Sequence, residues 1–440
     1  WFSNVNCSTN FNLMRIHILG ISGTFMAGIA ILAKQKGHDV TGSDKNFFDP
    51  MKTVLKENKI KFSKGYNPKV LNNKIDLVIV GNVMSRGMPI IEKLLESKIK
   101  YISGPQWLKE NILINKKVIA ISGTHGKTTV SSLITHILKS NKINPSYLIG
   151  GQPIGFKKPA NLTKSKYFVI EADEYDTAFF DKRSKFIHYK PDILLINNIE
   201  FDHADIFDNI DDILKNFHQL LRTIPRNGYI IYNDSDKNIK RLLSEGVWSK
   251  LIALKNNYWK NPKFRTTLLG NHNFKNIALS IIACKKLSLS IESIYKSIES
   301  FKGVKRRMEY VGQFKKIDVY DDFAHHPTAI LSSIIALKNT KPNKKTLAIC
   351  QIRSNSMIRG THSSELYKAL GRSDYSIIHF DQKSKVKFHD NKSRNINAFT
   401  TDKEISSYIR KIKGEIDKIL IMSNGNTSGL IKLIKNVVQK

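Results

Sequence analysis

The sequence predicts an α/β protein of three consecutive domains built on mainly parallel sheets. Short apolar runs alternate with segments of helical periodicity along most of the chain, which is the pattern of repeated β–α–β units. This alternation restarts at KVIAISG and again at IDVYDDF, and 440 residues are enough for about three domains of ordinary size. The predicted domains are therefore residues 14–110, 111–302 and 303–440.

Each predicted domain has its own series of strands. The first series contains RIHIL, DVTGSD and DLVIVGN, with the helical pattern MAGIAILAKQKG between the first two. The second contains KVIAISG, YFVIEAD, DILLINN and GYIIYND, followed by a polar segment predicted to be irregular, 248–267, and the amphipathic helix NHNFKNIALSIIACKKL. The third contains IDVYDDF, KTLAICQI, YSIIHF and KILIMSNG. Residues 1–13 lack both patterns and are expected to be a disordered leader or an extension.

The composition favours a cytoplasmic protein without membrane insertion. Only three cysteines occur, without a CxxC pair, and no apolar run approaches the roughly 20 residues that span a bilayer. The net charge of +34 raises the alternative of a P-loop ATPase that binds nucleic acid. The lysines are spread as singles and doublets, however, without an arginine-rich run or an aromatic stacking platform. We therefore expect no nucleic-acid partner.

The segment AISGTHGKTT indicates a site for a nucleoside triphosphate. It lies between an apolar strand and the helix VSSLITHILKS, so its glycines allow several N–H groups to face a phosphate at a helix N-terminus. The lysine of such a loop reaches the β- and γ-phosphates, and the next hydroxyl is placed to hold Mg²⁺. Ile121 stands where the strict motif has its first glycine. The candidate ATP-binding residues are Gly123, Thr124, His125, Gly126, Lys127, Thr128 and Thr129.

Two further strand ends carry candidate metal ligands. The carboxyl ends of parallel strands converge on the ligand crevice, and carboxylate oxygens suit Mg²⁺. A zinc hydrolase is disfavoured because no HExxH spacing is present. A lone histidine in such a place is more often structural than a ligand. The acidic and histidine candidates are Glu171, Asp173, Glu174, Asp176, Asp202, His203 and Asp205.

The ordered strings GTHGKTT, EADEYD, NNIEFDHADIF, GNHNFKN, KRRMEY and DDFAHHPTAI resemble the Mur ligases of peptidoglycan synthesis. The resemblance covers the chain from Met14 to its end. It implies a Rossmann-like UDP-binding domain, a central P-loop ATPase domain and a Rossmann-like C-terminal domain. It also implies an ATP-dependent, ADP-forming ligase that makes an amide bond to UDP-N-acetylmuramate through an acyl phosphate.

The resemblance also implies roles for individual residues. Lys127 and two Mg²⁺ ions would stabilise the transferred phosphoryl group. One ion would be held by Thr128 and Glu171, and the other by Glu171 with His203. The adenine site would be formed by His272, Asn273 and Asn276. Further catalytic candidates are Arg306 or Arg307 at the phosphates, Asp322 at the nucleotide, and His325 and His326 near the reacting amine.

The substrates are implied in the same way. The sugar nucleotide would contact the first domain at Gly20, Gly23, Asp44, Asn82, Ser85 and Arg86. Ser22 replaces a glycine of the strict dinucleotide motif, which disfavours NAD. The string RSNSM and several others are closest to family members that attach the murein tripeptide L-alanyl-γ-D-glutamyl-meso-diaminopimelate. The alternative amine is L-alanine. Selection of the peptide would depend on Arg353, Ser354 and Asn355.

Overall fold

A computed structural model describes residues 13–202, 204, 206–255, 264–380 and 395–439, apart from the side chain of Asn355. Its strands form three main sheets, one after another along the chain, and helices cover them. The predicted three-domain α/β fold class is confirmed. The domain boundaries at 110 and 302 stay predictions. Within the described part of the chain, no helix has the length and apolarity needed to cross a membrane.

The first sheet is a five-stranded parallel sheet in the order β3-β2-β1-β4-β5. Its strands are β1 (Arg15–Leu19), β2 (Asp39–Asp44), β3 (Lys61–Lys64), β4 (Leu77–Val80) and β5 (Lys100–Ser103). The helices are α1 (Thr24–Gln35), α2 (Met51–Glu57), α3 (Pro89–Glu96) and α4 (Gly104–Asn111). Because central parallel strands are covered on both faces, β4 is a continuous apolar run, and β1 is buried after Arg15 with only His17 polar among the buried residues.

The second sheet has seven strands in the order β14-β13-β12-β6-β9-β7-β8. It is parallel except for the β7–β8 pair. The strands, with a separate β10–β11 hairpin, are β6 (Lys117–Ser122), β7 (Ser146–Leu148), β8 (Ala160–Asn161), β9 (Tyr167–Glu171), β10 (Asp176–Ala178), β11 (Asp181–Ser184), β12 (Ile193–Ile196), β13 (Tyr229–Asn233) and β14 (Lys250–Leu254). The helices are α5 (Lys127–Ser140), α6 (Ile210–Leu221), α7 (Lys237–Ser244), α8 (Asn271–Lys286) and α9 (Ile291–Glu299).

The prediction that 248–267 is irregular was wrong for its first part. Residues Lys250–Leu254 pair in parallel with β13 as an edge strand. The strand is half-exposed, and its apolar run, 251–254, spans only four residues within a mainly polar segment, so the pattern of the whole segment does not indicate a strand. Residues 256–263 lie outside the described residues.

The third sheet has six strands in the order β15-β16-β20-β17-β18-β19. They are β15 (Glu309–Phe314), β16 (Ile317–Asp322), β17 (Thr346–Gln351), β18 (Tyr375–His379), β19 (Ile396–Phe399) and β20 (Lys418–Met422). Only β15 is antiparallel to its neighbour. The helices are α10 (Pro327–Thr340), α11 (Asn355–Ile358), α12 (Ser363–Leu370), α13 (Asp402–Ile412) and α14 (Ser428–Gln439).

The first and second domains share one continuous apolar core. Helix α1 packs on β7 and β8, and a Cβ atom added to Gly28 would lie only 3.1 Å from Leu148. Next to this contact, Gln35 Nε2 donates to Asn161 Oδ1 at 2.9 Å. The rings of Tyr101 and Phe180 meet edge to face at 5.3 Å. This interface resembles the interior of a single domain.

The second and third domains are joined by backbone hydrogen bonds and polar side chains. The Ile154 N–H donates to the Gly303 carbonyl, and the Lys305 N–H donates to the Gln152 carbonyl, both at 3.0 Å. These two bonds attach the segment that enters the third domain to the second domain. Helix α8 also approaches α10, where a Cβ on Gly270 would lie 2.5 Å from that of Ala336.

Candidate functional site

The phosphate loop connects β6 to α5 and requires glycine at two positions. Gly123 and Gly126 have φ values of +124° and +86°, in the left-handed region. A Cβ on Gly123 would lie 2.7 Å from the Asn198 carbonyl oxygen, and one on Gly126 would lie 2.3 Å from Asn197 Nδ2. The loop is therefore closely packed against the end of β12, and it leads into α5, whose N-terminus is a type of site that favours anions.

Lys127 lies at the first position of α5 and is largely buried. Its Nζ donates to the Gly123 carbonyl at 2.7 Å and to Glu174 Oε2 at 3.0 Å, and Asp173 lies 3.9 Å away. Burial alone would lower the pKa of Lys127, but the charges of Glu174 and Asp173 raise it above its usual value. The ammonium group is thus held charged beside the loop that would cradle phosphate.

Thr128, Glu171 and Arg307 meet at the start of α5. The Thr128 hydroxyl donates to Glu171 Oε2 at 3.2 Å, and Arg307 Nη2 donates to Thr128 Oγ1 at 3.1 Å. Glu171 Oε1 also accepts the Gly150 N–H at 2.7 Å. Burial raises the pKa of Glu171, and the Gly150 N–H and the Arg307 charge oppose that rise. A hydroxyl and a carboxylate side by side are ligands that suit Mg²⁺.

Arg306 and Arg307 point to different places. Arg307 reaches the phosphate loop, where burial lowers its pKa against the opposing charges of Asp322 and Glu171. Arg306 binds within the third domain, 3.3 Å from Asp321 and 2.6 Å from the Ser423 carbonyl. The structure therefore brings Arg307, not Arg306, to the predicted phosphate site.

Two histidines and a glutamate form a second cluster beside the phosphate loop. His125 Nε2 and His326 Nδ1 each lie 3.5 Å from Glu200 Oε2, too far for good hydrogen bonds. Burial would raise the pKa of Glu200, but interactions with His125, Thr328 and His326 lower it to about 2. Burial lowers the pKa values of His326 and of the neighbouring His325 to about 4.

The predicted adenine-site residues lie at the start of α8. Asn276 Oδ1 accepts from Asn197 Nδ2 at 2.8 Å, and Asn273 Nδ2 donates to the Leu269 carbonyl at 2.8 Å. Burial lowers the pKa of His272, and the charge of Asp322 in the third domain opposes this shift. The two domains therefore meet at these residues.

Asp322 is buried at the end of β16 and has internal partners. Its Oδ2 accepts from the Ser333 hydroxyl at 2.6 Å, and its Oδ1 accepts the Ala324 N–H at 3.3 Å. The latter bond shapes the turn that leads to His325, whose Nδ1 lies 2.9 Å from the Phe323 carbonyl. Asp322 thus fixes the loop that carries both histidines.

The loop after β12 is held by the third domain. The Ser356 hydroxyl donates to Asp202 Oδ1 at 3.1 Å, and Arg359 Nη1 donates to the Ala204 carbonyl at 2.6 Å. Sequence reasoning missed Glu200, Ser356 and Arg359. Glu200 belongs to the NNIEFDHADIF string and Ser356 to the RSNSM string, so both could have been found there, whereas nothing in the sequence marks Arg359. The predicted ligands His203 and Asp205 lie outside the described residues.

Two of the remaining acidic candidates, Asp173 and Asp176, contact lysine side chains. Asp173 lies 3.6 Å from Lys185, and Asp176 pairs with Lys182 at 2.7 Å. The latter pair is exposed on the lysine side, so it contributes little to stability.

In the first domain, Gly20, Gly23 and Asp44 surround one turn after β1. Gly20 has a φ of +79°, and Gly23 caps the N-terminus of α1. The Ser22 N–H donates to Asp44 Oδ2 at 2.9 Å, and the Tyr66 hydroxyl donates to Asp44 Oδ1 at 3.1 Å. Sequence reasoning did not identify Tyr66 as a partner of this carboxylate.

The other predicted substrate residues lie on two exposed loops. Arg86 forms a double hydrogen bond with Glu92 at 3.0 Å, Ser85 is exposed, and Asn82 is half-buried. In the third domain, Arg353 is exposed and lies across Gly425, at which an added Cβ would be 2.3 Å from the Arg353 Cδ. The Ser354 carbonyl accepts the Ile358 N–H at 2.9 Å, at the start of α11.

Family models match three successive parts of the chain. The model described as Mur ligase family, catalytic domain, matches residues 15–114. The Mur ligase middle domain matches 121–257, and the Mur ligase, glutamate ligase domain, matches 306–425. Together the three models span the three sheets of the structure.

Individual relatives are similar over nearly the whole chain. The UDP-N-acetylmuramate–L-alanyl-γ-D-glutamyl-meso-2,6-diaminoheptandioate ligase of Haemophilus influenzae is 41% identical over 95% of this chain and 98% of its own length. The enzyme of the same name from Escherichia coli is 44% identical over 82% and 84%. The crystal structure of a murein peptide ligase from Psychrobacter arcticus is 33% identical, with a TM-score of 0.75 over 97% of this chain and 99% of that one.

Proposed function

This chain belongs to the Mur ligase family, and we propose that it joins L-alanyl-γ-D-glutamyl-meso-diaminopimelate to UDP-N-acetylmuramate with consumption of ATP. It is an ATP-dependent, ADP-forming amide-bond ligase. The relatives named above for the tripeptide are 41% and 44% identical, whereas a UDP-N-acetylmuramate–L-alanine ligase from Clostridium acetobutylicum is 30% identical. The tripeptide is therefore the favoured amine substrate. The reaction belongs to the recycling of cell-wall peptides, in the cytoplasm.

The hydrogen bond between Arg307 and Thr128 carries this proposal. It joins a guanidinium group of the third domain to the phosphate loop of the second at 3.1 Å. Lys127 directly precedes Thr128, at the first position of α5. Two positive charges from different domains thus converge where a γ-phosphate would be transferred, and such convergence stabilises the developing charge.

The phosphoryl step uses residues of the second domain. The glycine turn and the N-terminus of α5 bind the phosphates, and Lys127 stabilises charge on the transferred group. Thr128 and Glu171 would hold one Mg²⁺ ion, and Glu171 with His203 would hold a second. When bound, the ions would neutralise charge on the phosphate oxygens. His272, Asn273 and Asn276 bind the adenine. ATP then phosphorylates the lactyl carboxylate of the sugar nucleotide, which gives an acyl phosphate and ADP.

The amide-forming step uses residues of the third domain. The peptide amine attacks the acyl phosphate, and the tetrahedral intermediate collapses to amide and phosphate. His325 and His326 lie on the loop that faces the phosphate site and act near the amine. Arg353 is exposed and suited to a two-point hydrogen bond with a diaminopimelate carboxylate. Ser354 and Asn355 complete the peptide site.

The sugar nucleotide binds in the first domain. Gly20 and Gly23 form a turn after β1 that lets a diphosphate approach the backbone. Asp44 fixes that turn through the Ser22 N–H. Asn82, Ser85 and Arg86 lie after β4 and complete the site.

A ligation assay tests the proposed function. The full chain is incubated with ATP, Mg²⁺ and UDP-N-acetylmuramate, with either the tripeptide or L-alanine, and products are identified by mass spectrometry. A UDP-muramoyl-tripeptide product with stoichiometric ADP is expected. Product with L-alanine alone would reassign the amine substrate, and ATP hydrolysis that depends on nucleic acid would refute the ligase. A Lys127→Ala chain serves as the control for contaminating activity.

A further inference from the structure

The cluster of His125, Glu200 and His326 has the geometry of a transition-metal site. Among the described residues, these three offer ligand atoms that all lie within 4.8 Å of one another. Two of the separations are 3.5 Å. Ligands at about 2.0–2.1 Å from a tetrahedral ion are roughly 3.3 Å apart, so the cluster needs only a small contraction to bind one.

The atoms that face the gap have weak hydrogen bonds or none within the cluster. The Thr328 N–H donates to His326 Nδ1 over a long 3.4 Å, so this nitrogen is the acceptor of its ring. His125 Nε2 is buried without a hydrogen-bond partner in the described structure, and it faces the carboxylate of Glu200. With the proton of His125 on Nδ1, its Nε2 would face the carboxylate as a second acceptor, and a cation between these acceptor atoms would stabilise them. Imidazole nitrogens with one carboxylate favour Zn²⁺ over Mg²⁺, which prefers oxygen.

The three ligands come from two domains. His125 belongs to the phosphate loop and Glu200 to the loop after β12, whereas His326 caps the N-terminus of α10 in the third domain. We propose that His125, Glu200 and His326 bind one Zn²⁺ ion, which clamps the third domain against the phosphate loop. The fourth position of the ion stays open to water, as at sites with three protein ligands.

This clamp is separate from the predicted Mg²⁺ site. Thr128 and Glu171 offer only oxygen atoms, and neither belongs to the cluster. Occupation by Zn²⁺ would slow turnover, because the ligase has to open in order to release its product. The chain would then respond to free zinc through a site that includes His125 of the phosphate loop.

Metal binding is measured on the full chain after removal of metals, without ATP or substrates, so the result does not depend on the ligase activity. Zn²⁺ is titrated in competition with a chromophoric chelator, and Co²⁺ serves as a spectroscopic probe of tetrahedral coordination. One ion per wild-type chain is expected. His326→Ala and Glu200→Gln are each expected to weaken binding at least about 100-fold, since even supporting residues of metal sites cost 10–100-fold.

Two matched variants separate this site from others. Glu171→Gln alters the predicted Mg²⁺ site. His136→Gln removes a histidine on α5, away from the phosphate loop, that is hydrogen-bonded to the Ser297 carbonyl and the Ser300 hydroxyl. Both are expected to bind Zn²⁺ like the wild type. Unchanged binding in Glu200→Gln, which keeps the side-chain shape, would overturn the proposal, as would loss of binding in Glu171→Gln. Circular dichroism of the metal-free variants verifies folding.

The clamp itself is tested by hydrogen exchange. Zn²⁺ is expected to slow amide exchange at the start of α10 in the wild type, with no change in Glu200→Gln. Equal exchange with and without Zn²⁺ in the wild type would overturn the clamp.

Discussion

The two domain interfaces of this protein differ in chemistry. Between the first and second domains, Gly28 packs against Leu148 within a continuous apolar core. Between the second and third, Arg307 meets Thr128 and Ser356 meets Asp202. Apolar burial stabilises whenever it forms, whereas the polar groups of an interface can exchange their protein partners for water when the interface opens, at a small net cost for each hydrogen bond. The first interface is thus suited to hold two domains fixed, and the second to open and close around substrates.

The largest expected effect comes from the polar interface and concerns activity. Arg307→Ala should lower kcat/KM for ATP-dependent ligation by about 10²–10³-fold, because one charged donor to the transferred phosphoryl group is lost. UDP-N-acetylmuramate binding, measured by calorimetry, should be unchanged. The matched control is Arg183→Ala, which removes an exposed arginine paired with Asp181. Equal activity of both variants would contradict the role of Arg307.

The apolar interface should respond in stability. Leu148→Ala should lower the free energy of unfolding by about 2–5 kcal/mol, as typical for a leucine truncated in a core. The turnover of the folded fraction should stay the same. Urea denaturation measures the change, with Leu251→Ala on the exposed strand β14 as the control, for which about 0.5 kcal/mol or less is expected. A reduced kcat with unchanged stability would reverse the contrast between the two interfaces.

Acid should lower the free energy of unfolding of the first domain through His17 on β1. Burial lowers the pKa of His17 to about 4, and its ring contacts the Thr41 and Ser43 hydroxyls. A histidine in the unfolded chain takes up a proton near pH 6.5, whereas buried His17 does so only near pH 4. The stability that neutral His17 contributes is therefore complete above pH 6.5 and is lost as the pH falls toward 4. Its contribution between pH 7 and 5 is about 2 kcal/mol.

Denaturation of the wild type and of His17→Gln at pH 7 and pH 5 measures this contribution. The variant should lose less stability on acidification than the wild type, by about the 2 kcal/mol assigned to His17. Identical pH dependence in the two proteins would remove His17 from the explanation.

The smallest effect is expected from one bond across the polar interface. Ser356→Ala removes the hydroxyl that donates to Asp202, and it should lower the free energy of unfolding by about 1 kcal/mol. Hydrogen exchange of α11 should become faster while that of α1 stays the same. Ser332→Ala is the control, because that hydroxyl bonds to Thr328 within its own helix. Faster exchange in α1 as well would mean that the two interfaces are coupled.

Local patterns predicted the fold class and the position of the phosphate loop between a strand and a helix. The phosphate loop was predictable because Gly123, Gly126 and Lys127 act within a few residues of one another. The buried parallel strands were predictable from their continuous apolar runs. The edge strands β15 and β19 were not predicted. The turn between β15 and β16 has Lys315 at a φ of +54°, without the Asn-Gly or Asp-Gly pair that marks a hairpin.

Contacts between distant segments could not be predicted. Sequence reasoning left Arg306 and Arg307 as alternatives, and the structure separates them through a left-handed Arg306, with φ of +58°. Glu200 lies in the string NNIEFDHADIF, but its contacts with His125 and His326 join residues that are far apart in the chain. No local spacing carries such information, so it depends on how the domains pack.

The two backbone bonds between 152–154 and 303–305 have a consequence for protein engineering. They fasten the connector to the second domain up to Lys305, whereas the carbonyl of the next residue, Arg306, accepts the Phe323 N–H of the third domain, so the change of domain falls between these two residues. A chimaeric ligase that receives the third domain of a relative, in order to accept another amine, should therefore be joined after Lys305. A junction placed earlier would replace residues 303–305, and with them the hydrogen bonds that attach the connector to the second domain.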